Sequence, residues 1–209
     1  MRRLLRFAGV AAVGVLWTTV GLGMWRIAFD VTGDRAISYL GTDSRTMALF
    51  RGGLLVATVL LVGFAWAVER NLARPTGFFG VFLVGMVGQA VVATVSIAGE
   101  GVWHTVHTIG GIVLGLSLPL FIWRFAAGQP PGRWRRQSYG LLWLEVAAVV
   151  AGVALSRAHL AVVAEVLPAV VFHLWIIVVT VWWQAWRHGP PQTVLNASVG
   201  AKRAARTAG

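Results

Sequence analysis

The sequence predicts an all-α integral membrane protein, a polytopic bundle of six transmembrane helices with both termini on the cytoplasmic side. Three observations carry that prediction. Of the 209 residues, 57% are hydrophobic and only 12% charged, with a mean hydropathy of +0.74, whereas an average soluble domain is about one quarter charged. Six apolar stretches approach the roughly 20 residues that cross a bilayer, each bounded by charge, glycine or proline. The 18 Lys and Arg, set against 7 Asp and Glu for a net charge of +11, are shared unequally between the two sets of helix ends.

The first stretch, residues 7–29, follows Arg2, Arg3 and Arg6. It resembles a signal peptide, but it exceeds the usual core of about 7 to 15 residues and lacks a clear small-x-small cleavage site, so it is read as an uncleaved helix. The connection over residues 30–45, DVTGDRAISYLGTDSR, mixes charges with Ile37, Tyr39 and Leu40. That pattern suits a short segment lying in the membrane interface, with a solvated linker as the alternative.

The second stretch, 50–68, is short, at the lower limit for a span. The third, 76–98, lies between Arg74 and Glu100 with no ionisable residue between them. Its glycines at 77, 80, 85 and 88, like Gly111 and Gly115 in the fourth stretch (102–123), are expected to allow close helix packing. Pro119 reads as a signal near the inner end of the fourth helix. The loop QPPGRWRRQ that follows is a rigid turn and a basic aromatic cluster, suited to anionic lipid headgroups. The fifth stretch, 139–156, carries Glu145, for which a buried pair with Arg135 or Arg136 is expected and a proton relay is the alternative. The sixth, 160–186, is long enough to tilt or protrude, and Pro168 should kink it because proline cannot donate to the Ala164 carbonyl.

Residues 1–188 thus form one transmembrane domain and 189–209 a disordered basic cytoplasmic tail without apolar periodicity. The sequon Asn196-Ala197-Ser198 falls on the cytoplasmic side, away from glycosylation. No repeat is visible, and the long first loop has no counterpart in the second half, which counts against an inverted-repeat transporter.

Orientation follows from the basic residues. Thirteen of the 18, including Arg70, Arg74, Arg124, Arg133, Arg135 and Arg136, lie at one set of ends, and five, Arg26, Arg35, Arg45, Arg51 and Arg157, at the other. By the positive-inside rule the first set is cytoplasmic. The basic charge is therefore a topological signal on an apolar chain, and no nucleic-acid partner is expected. The absence of cysteine excludes disulfides, iron-sulfur clusters, thiolate zinc sites and a cysteine nucleophile.

Candidate functional residues are the polar groups at or within the membrane. Glu100, His104 and His107 lie at the outer start of the fourth helix, with the two histidines three apart on one face. Glu165 lies about one turn into the sixth helix from the same side, after Arg157 and His159. Ser38, Asp43 and Arg45 of the first loop share that level, and His173 lies deeper. An outward polar pocket between helices is the functional expectation, and a solvated rim is the alternative. The spacing is not HExxH, so no metal is predicted. Haem is disfavoured by depth: at about 1.5 Å per residue, His107 lies roughly 8 Å and His173 roughly 18 Å below the outer surface. No cofactor is expected.

The string ISYLGTDSRTMALFRGGLLVATVLLV, residues 37–62, resembles a bacterial family of six-helix membrane proteins of unknown function, itself distantly similar to the eukaryotic Frag, DRAM and Sfk membrane proteins. The likeness rests on Ser38, Leu40 and Gly41 after the first helix, Phe50 and Gly52 opening the second, and His107, Gly110 and Gly111 in the fourth. It implies that Ser38 and His107 are among the residues to test, and, through the eukaryotic relatives, an association with lipid handling and membrane homeostasis.

The functional expectation is lipid binding or envelope maintenance in the cell membrane, a bacterial cytoplasmic membrane, with membrane lipids as partners and Ser38, Asp43, Arg45, Glu100, Arg157, His159 and His173 as ligand-binding residues. A different class is a membrane-embedded enzyme acting on a lipid or isoprenoid, with His104, His107 and Glu165 as its acid-base residues. A small transporter, motivated by Glu165, Pro168 and His173 in one helix, is the third expectation.

Overall fold

The computed structural model describes residues 2–187, as α1 (Arg2–Arg26), the 3-10 helix η1 (Ile37–Gly41), α2 (Met47–Glu69), α3 (Phe78–Thr94), α4 (Val102–Ala127), α5 (Arg133–Arg157) and α6 (Ala161–Arg187). The expected tail, 189–209, lies outside the described residues.

Five helices, α1, α2, α4, α5 and α6, are long and apolar enough to cross a membrane, and α3 is apolar but shorter. The sequence places the marginal span second, whereas the structure places it third. Helix α2 runs 23 residues, extending beyond its apolar run to Met47 and Glu69. Helix α3 has 17 residues, starting after Gly77 in the left-handed conformation (φ 70°) and ending where Val95 turns extended. Its length is about 25 Å.

Consecutive helices pack antiparallel, and α6 closes back on α1. The terminus end carries the turns over residues 70–77 and 128–132. The opposite end carries η1 and the links over 95–101 and 158–160. In a bilayer, helices associate through packing and interhelical hydrogen bonds, because lipid is as apolar as leucine. Here the packing is aromatic. Phe172 and Trp175 of α6 stack at 5.8 Å and meet Phe82, Phe78, Phe121 and Phe125 of α3 and α4, while Phe82 stacks on Phe121 at 4.5 Å. Each such pair contributes about 0.5–1.5 kcal/mol beyond area burial.

At two crossings glycine lies directly against a backbone oxygen of the facing helix. At the α3–α4 crossing, a Cβ on Gly88 would stand 2.7 Å from the Gly110 carbonyl oxygen, so only hydrogen fits. Gly111 and Gly115 face open space, so the expected pair is not the packing pair. Between α5 and α6, a Cβ on Gly152 would stand 2.7 Å from the Ala164 oxygen and 3.7 Å from Cδ of Pro168. That oxygen is the acceptor that Pro168 deprives of its helical amide, and α6 continues through the proline. Pro119 likewise lies within a helix, because α4 extends to Ala127.

Candidate functional site

At the η1 end the first loop is built from its own polar groups. Asp30 accepts from the amide and hydroxyl of Thr32 at 2.9 and 2.7 Å, a local turn that lowers its carboxyl pKa. Asp43 accepts from Arg45 N, Nε and Nη2 at 2.8, 3.1 and 2.9 Å. The Arg45 guanidinium and amide hold the Asp43 carboxyl down at about 2. The Asp43 carbonyl receives the Thr46 and Met47 amides that open α2, and the fully buried Thr46 hydroxyl donates to the Leu40 carbonyl at 2.7 Å. These bonds press η1 into the bundle. Leu40 is fully buried, with a methyl where a side chain on Gly23 of α1 would stand. The loop expected to lie along the interface is packed between helix ends.

Its far side is tied to α6. No side chain of the preceding residues caps η1; instead Glu165 accepts from the Ile37 amide at 2.7 Å, with the Ser38 amide beside it. A carboxylate from a distant helix thereby satisfies the free N–H groups at the start of this short helix. Exposed His159 and Asp34 form a second tie at 3.5 Å. Directly after the bonded amide comes Ser38, which is buried, with an Oγ that has no hydrogen-bond partner.

Deeper along α6 lies His173, buried at 5% exposure. Its Nδ1 accepts from the indole N–H of Trp17 on α1 at 3.1 Å, with the rings edge to face at 5.7 Å. A neutral ring accepting at Nδ1 carries its proton on Nε2, and that donor has no partner among the described residues. Eight residues of helix separate Glu165 from His173, about 12 Å.

The other two histidines among the described residues belong to a different contact. His107, buried, and His104, exposed, sit on one face of α4 and donate from Nδ1 to the carbonyls of Val95 and Ile97 at 2.7 and 2.9 Å. Both carbonyls lie just past the end of α3, where helical acceptors lack amides. The expected rim is thus divided: Ser38, His159 and Glu165 stand with the first loop, and His104 and His107 with the α3–α4 link. No hydrogen bond or ion pair among the described residues joins the two groups. Glu100 and Arg157 are exposed and make no such bond to either. No group of three or more His, Asp or Glu among the described residues could hold a metal ion.

Two further polar groups lie within the helices. Gln89 ties α3 to α2 by donating to the Thr58 hydroxyl at 2.9 Å and the Leu54 carbonyl at 3.3 Å. Glu145 is fully buried, and neither carboxyl oxygen has a hydrogen-bond partner. The expected pairing with Arg135 or Arg136 is not made; Arg135 lies 5.8 Å over the ring of Tyr139, one turn along its own helix.

Thr46 and Trp17 escaped the sequence reading. The short-side-chain Thr46 just before an apolar run is a visible helix-start signal, whereas Trp17 in a continuous apolar stretch gives no sign of its partner. The fold and these contacts define an all-α bundle with five helices able to cross a membrane. No family model, no curated protein and no solved structure matches the chain.

Proposed function

We propose that this chain is a six-span protein of the cell membrane, with both termini in the cytoplasm, that binds a membrane lipid in an outward-opening site roofed by η1. The 17-residue α3 crosses by local thinning of the bilayer, and the excess of arginine at the terminus end supports the orientation.

The observation that carries lipid binding is the buried, unpartnered Ser38 hydroxyl above the Trp17–His173 pair. A buried polar atom without a partner costs about 1–3 kcal/mol, so its retention calls for a ligand. Ser38 offers a donor and two acceptors at headgroup level, and His173, about 12 Å along α6 from Glu165, offers Nε2–H where the upper acyl chain of the same molecule would pass. The flanking side chains Val170 and Leu174 are 45% exposed each, an apolar wall for acyl chains.

A membrane-embedded enzyme would need His104, His107 and Glu165 on one substrate. Their hydrogen bonds instead commit the histidines to the α3–α4 link and the carboxylate to η1, which favours binding over catalysis.

The test is photocrosslinking of the full chain in liposomes with a phospholipid carrying a diazirine in the upper part of an acyl chain. Adducts are expected on α1 near Trp17 and α6 near His173. Adducts spread evenly over all outward faces would overturn the proposal.

A further inference from the structure

At the terminus end, far from Ser38, the turns over 70–77 and 128–132 dock on one another. The Ala73 amide donates to the Gly128 carbonyl at 3.1 Å, and a side chain on Gly128 would meet Leu72 and the Arg74 carbonyl. Arg124, in the last turn of α4, crosses this junction. Its Nη1 donates to the Thr76 carbonyl at 3.1 Å, and its guanidinium lies 4.7 Å over the ring of Trp123.

The guanidinium is thus fixed in place, yet it is incompletely used. Arg124 Nε, Thr76 Oγ1 and Gln129 Oε1 are all buried without a hydrogen-bond partner, and Gln129 is only 2% exposed. No acid pairs with Arg124 among the described residues. The nearby carboxylate, Glu69, is held at the start of α3, where it accepts from the Phe79 amide at 3.1 Å. A fixed cation with a free N–H beside a free hydroxyl is an arrangement for a phosphate oxygen. The free amide oxygen on Gln129 calls for a donor from the same ligand.

We propose that the junction of Arg124, Thr76 and Gln129 binds the headgroup of an anionic phospholipid, its phosphate on Arg124 and Thr76 and a headgroup hydroxyl on Gln129. On the orientation proposed above, this lipid belongs to the cytoplasmic leaflet, where anionic headgroups meet basic residues.

The test is native mass spectrometry of the full chain in detergent, titrated with phosphatidylglycerol, phosphatidylcholine or inorganic phosphate. In detergent the readout is independent of orientation, and Ser38→Ala separates this site from the η1 end. The wild type is expected to retain phosphatidylglycerol about fivefold more strongly than phosphatidylcholine. Thr76→Val, which keeps the backbone carbonyl that anchors Arg124, and Arg124→Lys should each abolish that preference, while Ser38→Ala leaves it intact. Equal retention of the two lipids, or a full preference in Thr76→Val, would overturn the site. Inorganic phosphate that displaces the lipid and stays bound only when Thr76 is present would keep the anion site and overturn the lipid as its occupant.

Discussion

The carboxylate of Glu165 on α6 accepts a 2.7 Å hydrogen bond from the backbone amide of Ile37, 128 residues earlier in the chain. Through this bond the last helix caps the 3-10 helix of the first loop, which carries Ser38. Glu165→Ala should free the start of η1 and cost about 1 kcal/mol. Glu165→Gln, which keeps an acceptor oxygen, should cost less. Amide hydrogen exchange at Ile37 and Ser38 checks this: faster exchange in the alanine variant is expected, and unchanged protection would contradict the cap.

Trp17 and His173 tie α1 to α6 by a side-chain hydrogen bond. Trp17→Phe keeps an aromatic body but leaves His173 Nδ1 without its donor, at an expected cost of about 1–2 kcal/mol. Adding His173→Leu should cost less than the sum of the two single changes, because the unsatisfied acceptor is then gone. Thermal unfolding of the four proteins of this cycle in detergent measures the coupling, and strict additivity would mean that the bond contributes nothing.

The glycines separate by contact. Gly88→Ala places a Cβ 2.7 Å from the Gly110 oxygen and should destabilise by about 1–3 kcal/mol through overpacking. Gly111→Ala meets nothing within 4 Å and should fall within about 0.5 kcal/mol of wild type. Equal effects of the two on the melting temperature would contradict the α3–α4 contact.

Asp43 gives a pH dependence with a defined sign. Its carboxyl is held at about 2 by Arg45, below the ordinary carboxylate range. A depressed folded-state pKa contributes stability fully present above the unfolded value near 3.9 and lost as pH falls through the folded value. The start of α2 should therefore be insensitive to pH between 7 and 5 and loosen only below about 4. Carboxyl carbon NMR of Asp43 should show a midpoint near 2, and a midpoint near 4 would contradict the Arg45 contact.

The helices were legible because each is written locally, as an apolar run ended by charge or by Gly and Pro. Helix ends were less so: α2 begins at Met47 and takes in Glu69 beyond its apolar run, whereas α3 is cut short at both ends by backbone geometry that apolar residues do not advertise. The candidate residues were found by type and depth, yet their partners were not. Glu165 meets a backbone amide 128 residues away, and His104 and His107 meet carbonyls past the end of α3. Backbone partners carry no side-chain signature. Glu145 shows the converse: depth identified it, but reach along the helix suggested an arginine that turns to Tyr139 instead.

Ser38 offers the most direct measurement. Its hydroxyl is buried and unpartnered, so Ser38→Ala removes a group that contributes nothing to the fold on its own. The melting temperature of the delipidated protein should stay the same or rise, by the equivalent of up to about 3 kcal/mol. Native mass spectrometry of the same two proteins, purified with co-extracted lipid, should show one retained lipid fewer on Ser38→Ala than on the wild type, the lipid at Arg124 remaining on both. Identical lipid retention at identical stability would contradict a lipid site beneath η1.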